Sequence, residues 1–395
     1  MKILFLTPEL PYPTISGGTI KSFKIVEHLL TNHDVTLGCL IKGSQEQTPL
    51  TTFKKALPRL KTFSFNLDRK RNIKTLLSSY ALFLPLTIYR NYSVELKKKV
   101  NSIADKYDVI FIDHYLMFQY IPPSFRGRIV IHQHNAEFVM WSRYAKLVKN
   151  PIKKLLLLIE SYRIKRYELR MIERTNVTLA APNDKAALIG GGANSSKFIN
   201  TFHLGDARNL TLKNLTYENT QLNILYIGTL TWEANIDGLL WFLKHSWPLI
   251  KAQQPNVVFT IVGRCSPKMK NILLKLEPKL NLLGFVEHLD VLYQTHRVFI
   301  CPLRFGSGIK VKVINSLYRG IPTVMTPIAA EGIALNNAEH AYITSDMADF
   351  AYCVLELLKN KTKWRSFSEK SRVLMHQHYT WDKVFINIDK SVITA

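Results

Sequence analysis

Phe305-Gly306-Ser307-Gly308-Ile309-Lys310-Val311-Lys312-Val313-Ile314-Asn315-Ser316-Leu317-Tyr318-Arg319-Gly320-Ile321-Pro322 is the stretch on which the reading of this chain turns. It follows the apolar run Val298-Phe299-Ile300 and leads into Pro322–Met325. The order predicts a strand, a Gly-rich loop leading into a helix over 306–319, and a further strand. Gly306 and Gly308 let backbone come close to a ligand. The helix start offers unpaired N–H groups and a partial positive charge, which together make an anion site. Lys310 and Lys312 add two cations in the first turn, a placement that works against the helix dipole unless an anion is bound. The segment alone reads either as a diphosphate cradle or as a Gly-flexed loop with two solvated lysines.

Upstream of it the same grammar repeats. Ile224–Ile227 is a predicted strand followed by Gly228, Leu239–Leu243 lies on a helix, and Val257–Val262 is a strand ending in Gly263-Arg264. Leu280–Val286 is read as the next strand of this set. Nearer the N-terminus, Ile3–Leu6 is a strand, and Pro8, Pro11, Pro13, Gly17 and Gly18 mark a loop. Phe23, Val26, Leu29 and Leu30 then recur at helical spacing. Val35–Leu40, Val109–Ile112, Ile129–Ile131 and Val177–Ala180 are apolar runs of the kind found in strands covered on both faces. A long helix is predicted from about Lys153 to Arg174. Strands alternating with helices imply right-handed crossovers and parallel sheets. Two such sets in 395 residues imply an α/β protein of two Rossmann-like, doubly wound domains. The expected division is 1–210, a polar linker 211–221, a second domain 222–380, and a final helix in 381–395 that crosses back to the first.

The segment Gly308 to Gly332, "GIKVKVINSLYRGIPTVMTPIAAEG", resembles the donor-site region of family 4 of the retaining GT-B glycosyltransferases. Members carry a basic residue and a lysine, a helix, a Gly, a Pro-Val strand and a Gly-Glu-Gly loop there. "MKILFLTPELPYPTISGGTIKSF", "LNILYIGTLTWEANIDGLLWFL", "VVFTIVGR", "LNLLGFVEHLDVLY" and "HYTWDKV" are similar to other parts of the family, so the resemblance covers most of the chain. It implies a GT-B fold with a central cleft, and transfer of a sugar from a nucleotide-diphosphate sugar that binds as substrate, with no cofactor. It implies further that Gly17 and Gly18 face the donor phosphate and the acceptor, that Gly308, Lys310 and Lys312 hold the diphosphate, and that Glu331 belongs to the donor site. Ser307 and Asn315 stand where the family has the two glutamates of its Glu-x7-Glu pair, so both carboxylates are missing. An Asn amide still hydrogen-bonds a hydroxyl, but charge-assisted bonds are roughly twice as strong. The Arg-Lys pair of many members is replaced by Gly228-Thr229-Leu230-Thr231-Trp232, with Arg264 as a substitute. In the first domain, His134 of "IVIHQHNAEF" matches the histidine near the reacting sugar, and Asn135 and Glu137 fit a variant of that loop. Asp113 and His114 end the preceding strand on the same rim, with His132 close by. The expected catalytic pair is His134 and Asp113. No Asp-x-Asp pair lies in a plausible place, so no metal is expected.

Composition bounds the partners. There are 53 Lys and Arg against 29 Asp and Glu. Residues 1–220 hold 33 basic and 16 acidic residues, net +17, which leaves 20 and 13, net +7, for 221–395. Lys54, Lys55, Arg59, Lys61, Arg69, Lys70, Arg71 and Lys74 precede the uncharged stretch 75–89, and Arg90 and Lys97–Lys99 follow it. Basic residues around apolar ones describe a segment that rests on anionic lipid, or a solvated surface over a buried helix. No reading motif for nucleic acid accompanies the charge. The stretch 75–89 is shorter than the ~20 residues a spanning helix needs, and the N-terminal apolar run is shorter than the ~7–15 of a signal peptide. Cys39, Cys265, Cys301 and Cys353 are widely spaced, as reduced thiols of a cytoplasmic protein would be. The expected place is the cytoplasm, at the inner face of the membrane, acting on a lipid-linked or envelope glycan. Rival readings are a non-catalytic nucleotide-sugar-binding protein of the same fold and a nucleotide-sugar epimerase.

Overall fold

A computed structural model describes residues 1–14, 17–41, 47–67 and 72–393 of the chain. The chain forms two compact units: Met1–His203 with Asp382–Ala395, and Leu204–Trp381.

In the first unit the apolar runs become a parallel sheet of seven strands. They are β1 (Lys2–Thr7), β2 (Asp34–Ile41), β3 (Lys61–Asn66), β4 (Val109–Asp113), β5 (Arg128–His132), β6 (Val177–Ala180) and β7 (Phe198–Asn200), in the order β3-β2-β1-β4-β5-β6-β7. Leu4 pairs with Ile110 and Ile110 with Ile129. Ile3–Leu6 and Ile110–Ile112 are fully buried, as expected where helices cover both faces. The chain moves outward one way from β1 and the other way from β4. The β1/β4 boundary is therefore the switch point, outside whose strand ends α/β proteins bind ligands. Helix α1 (Gly17–Asn32) turns Lys21, Ser22, Ile25, Val26, Leu29 and Leu30 inward. Gly17 and Gly18, read as loop, are thus its first residues. Helices α2 (Ile73–Ala81), α3 (Glu137–Leu147) and α4 (Pro151–Arg174) follow. The start of α4 is fixed by Pro151 and by the Asn150 side chain, which accepts the Lys153 N–H at 2.9 Å.

The second unit has a six-stranded parallel sheet. Its strands are β8 (Gln221–Ile227), β9 (Val258–Val262), β10 (Asn281–Gly284), β11 (His296–Cys301), β12 (Thr323–Met325) and β13 (Tyr342–Ile343), in the order β10-β9-β8-β11-β12-β13. The switch point is at β8/β11. Helices α5 (Glu233–Gln253), α6 (Val311–Arg319) and α7 (Lys361–His378) belong to this unit. Its core gathers Phe242, Trp247, Phe259 and Phe350 around the strands.

The boundary differs from the sequence reading. Residues 204–210 lie with the second unit, and the polar stretch 211–221 is built into it. The Arg372 guanidinium donates to the carbonyls of Asn209, Leu210 and Leu212, and Arg319 donates to that of Lys213. Buried arginines hold this stretch through its backbone carbonyls, a tether that sequence composition does not separate from a solvated linker. Helix α8 (Trp381–Ile393) places Trp381 in the second unit and everything from Asp382 in the first. There Phe385 stacks on His28, Asp389 meets His28 at 2.8 Å, and the Ser391 carbonyl accepts from Arg128.

Candidate active site

In the first unit, β4 and β5 run parallel in register, with Asp113 opposite His132 at their C-terminal ends. That pairing, with the turn after β5, brings two imidazoles onto one carboxylate. His132 Nδ1 and His134 Nε2 both lie 2.8 Å from Asp113 Oδ1. The Ser22 hydroxyl donates to Asp113 Oδ2, and it also lies 3.0 Å from the Gly18 carbonyl. Asp113 is fully buried. Burial alone would raise its carboxyl, but the two histidines outweigh it and hold the group well below the usual carboxylate range. Burial also pushes His132 down to about 3 and lowers His134. Burial thus disfavours the imidazolium form of both rings, while each still faces the anion at hydrogen-bond distance.

Two further groups complete the cluster. Lys21, buried on α1, reaches His203 Nδ1 at 2.6 Å, and burial pushes its ammonium down to about 7 against the pull of Asp113. As acceptor at Nδ1, neutral His203 carries its proton on Nε2. His132, donating through Nδ1, presents Nε2 as acceptor. Both Nε2 atoms are buried without a hydrogen-bond partner, and the two rings are 5.1 Å apart. Buried polar atoms of this kind are nearly always paired. Here they leave one donor and one acceptor at the switch point. Below them Glu137 and Glu168 are also buried. Glu168 accepts the Glu137 and Phe138 N–H groups at 3.0 and 3.2 Å. Burial pushes Glu137 up to about 7 and raises Glu168 well above its ordinary value. His114, the residue after β4, takes φ 98° and packs edge-on against His134.

Among the described residues Asp113, His132 and His134 form a group whose ligand-type atoms lie within 4.8 Å of one another. Two nitrogens 2.8 Å from one carboxylate oxygen have ordinary N–H···O spacing. Ligand atoms bonded at ~2.0 Å to a tetrahedral zinc would be about 3.3 Å apart. Hydrogen bonding fits these distances better than shared coordination.

In the second unit the decisive stretch folds as strand β11, loop and helix α6. Gly306 and Gly308 have φ of 145° and 75°, values that a side chain disfavours. Gly308 and Lys310 are buried, and Ser307 is half-buried. Lys310 does not project into solvent. Its ammonium donates to the Gly308 carbonyl at 2.6 Å and pairs with Glu331 at 3.6 Å, which braces the loop from inside. Lys312 reaches the C-terminal end of β8. Its Nζ lies 2.7 Å from Asn235 Oδ1, 3.4 Å from the Tyr226 hydroxyl and 4.8 Å from that ring's centre. Burial lowers its pKa. Asn315 points elsewhere: its Oδ1 accepts the Asp206 N–H at 2.9 Å, tying residues 205–206 to α6. Its carbonyl oxygen is thereby committed to the protein's own backbone. Arg264, after β9, is exposed and stacks on Phe285 at 5.2 Å.

The structure thus joins Asp113, His134 and, through Ser22, Gly18 in one cluster, and Gly308, Lys310 and Glu331 in another, while Lys312 turns to Asn235 and Tyr226 at the end of β8. Sequence reasoning missed Lys21, Ser22 and His203. The inward stripe of α1, spaced by four at Ser22, Val26 and Leu30, already placed a polar residue on an apolar face, which was the available signal. His203 gave none.

Each cluster sits at the switch point of its own sheet, and the protein these features define is of the GT-B glycosyltransferase fold. Residues 221–360 match the family model described as Glycosyl transferases group 1. Over 98% of its length the chain is 23% identical to an uncharacterized 44.6 kDa protein in the cps region of Klebsiella pneumoniae, covering 99% of that protein. Among solved structures it is similar to HepE of Anabaena, crystallised with UDP and glucose (TM-score 0.69, 14% identity, 99% of each chain). It is similar also to TarM of S. aureus, seen with UDP (0.70, 10%, 100% of each). A third is the sucrose-phosphate synthase of Thermosynechococcus elongatus (0.70, 14%, 99% of this chain and 98% of that one).

Proposed function

We propose that the protein is a retaining glycosyltransferase that moves a sugar from a nucleotide-diphosphate sugar to a lipid-linked or envelope glycan. The carrying observation is the β11–loop–α6 unit. Two glycines at positive φ lead into a nine-residue helix whose first turn sets Lys312 against the end of β8. That is the chemistry of a diphosphate site: backbone N–H groups, a helix N-terminus and a cation held in place. The charge is supplied without a metal, so no metal requirement is expected. UDP-sugars are the first donors to test, since HepE and TarM were both seen with UDP.

The first unit carries the acceptor-side chemistry. His134, oriented by Asp113, hydrogen-bonds a sugar hydroxyl, and Lys21 tunes the charge behind it. The protein works in the cytoplasm against the inner face of the membrane. No described helix is long and apolar enough to cross a membrane, so contact would be peripheral. Incubation with UDP-sugars, with product analysis, tests the reading. Transfer to a glycan acceptor or slow release of sugar supports it. An epimerised sugar, or tight binding without turnover, would assign the fold to one of the rival activities.

A further inference from the structure

Helix α4 is apolar on two opposite sides. Leu157, Ile164 and Met171 face the core. Ile152, Leu155, Leu156 and Ile159, spaced by three, four and seven, face solvent, with Ile152 71% exposed. Farther along, the same outer face becomes Arg166 and Arg170. A surface helix ordinarily has one apolar face, so the outer one calls for a partner.

Helix α2 lies alongside. Arg163 of α4 donates to the carbonyls of Ser79 and Leu84 and stacks on Tyr80 at 4.2 Å, and Glu160 accepts the Leu86 N–H. These bonds fix residues 79–86 against α4. Ile73 and Leu77, one turn apart on α2, are exposed at 76% and 64%. Just past the helix, Phe83 takes φ 53° while the Leu84 N–H bonds Ser79 O and the Phe83 N–H bonds Tyr80 O. This is the left-handed helix stop that usually takes glycine. Here it carries an aromatic ring, 91% exposed. In water neither that backbone nor that exposure is favourable. At a lipid interface the ring leaves water.

The charge chooses the occupant. Residues 72–93 and 138–159 together hold seven Lys and Arg and no Asp or Glu. Glu160, next in sequence, is turned inward to Arg163. A symmetric second copy would set these cations against themselves, whereas an anionic bilayer meets both the apolar row and its lysine rim.

We propose that the first unit docks on anionic lipid through the outer faces of α2 and α4; this rests on the membrane contact proposed above and names its surface. The basic run 54–99 is not that surface as a whole. Lys97 donates to the Gln119 and Ile121 carbonyls, which makes it an internal strut, and Arg69, Lys70 and Arg71 lie outside the described residues.

Co-sedimentation of the full chain with phosphatidylcholine vesicles, with and without phosphatidylglycerol, tests the proposal. Binding to the anionic vesicles should be stronger by at least about 10-fold and weaken from 0.1 M to 1 M salt. Phe83→Asp with Leu155→Asp should lower it by at least about 10-fold, while Lys98→Gln with Lys99→Gln leaves it near wild type. Phe83→Gly serves if the double variant misfolds: it suits the positive φ, and it should bind less while melting no lower. If the Phe83 and Leu155 variants bind like wild type, this surface is wrong and the membrane contact stands. If wild type binds no anionic vesicle, both fall. A dimer in light scattering that these substitutions dissolve, with lipid binding unchanged, would give the surface to a second copy.

Discussion

Replacing Asp113 probes the first cluster with two graded changes. Asp113→Asn keeps an oxygen for His132 and His134, and its amide donates to Ser22, whose hydroxyl can turn to the Gly18 carbonyl 3.0 Å away. What is lost is charge assistance, about 1 kcal/mol for each of three bonds. Relief from burying a carboxylate offsets part of that, which leaves a net loss of about 1–2 kcal/mol. Asp113→Ala strands two buried imidazole N–H groups, each costing about 1–3 kcal/mol, for a loss of about 2–6 kcal/mol. A single unfolding curve for two units mixes their transitions, so amide hydrogen exchange of peptides from β4 and β5 is the better assay. Exchange there should quicken in the order wild type, Asn, Ala, with peptides of β8 and β11 unchanged. The pH dependence follows the same charge. The folded pKa of Asp113 is depressed, so its stabilisation is full above pH ~4 and is lost as pH falls through the folded value. Asp113→Asn should flatten that acid loss. If Ala exchanges like wild type, or Asn is as damaging as Ala, the carboxylate does not organise this site.

Four other outcomes are expected. Glu137, pushed up to about 7 by burial, keeps a proton that the unfolded chain releases above pH ~4.5; stability should therefore fall from pH ~4.5 to ~7 by up to about 3 kcal/mol, and Glu137→Gln should abolish the fall in pH-dependent hydrogen exchange of the first unit. Lys21, down to about 7, has the opposite sense: stability should rise from pH ~7 to ~10.5 in wild type and not in Lys21→Met. Asn315→Ala should cost about 1 kcal/mol of stability, through the lost bond to Asp206, and leave nucleotide affinity within about twofold by calorimetry; a large affinity loss would restore Asn315 to the donor site. Chelation by EDTA should leave transferase activity unchanged, and a loss restored by a divalent ion would overturn the metal-free reading.

The two sheets were legible because buried parallel strands are continuous apolar runs, and Ile3–Leu6 and Ile110–Ile112 contain nothing else. The β11–loop–α6 region was legible through glycines that only a special backbone requires. The direction of its lysines was not. Position in the first turn put Lys310 and Lys312 together, yet Lys310 is drawn inward by the Gly308 carbonyl and Glu331, a partner 21 residues on. The bond that holds Asn315 was hidden for the same reason, because its partner Asp206 lies 109 residues earlier. His203 joins the first cluster through a contact with Lys21 spanning 182 residues, and no local pattern encodes such a meeting. The exposed row on α4 was legible only as part of a long helix, since sequence spacing alone does not say which face turns outward.

Isothermal titration of UDP and UDP-sugars against wild type and Lys312→Ala asks whether α6 and its lysine hold a nucleoside diphosphate. Wild type should bind saturably without added metal, and the variant should lose about 1.5–3 kcal/mol, roughly 10- to 150-fold in Kd. Absence of binding by any nucleoside diphosphate, or equal affinity in wild type and Lys312→Ala, would contradict it.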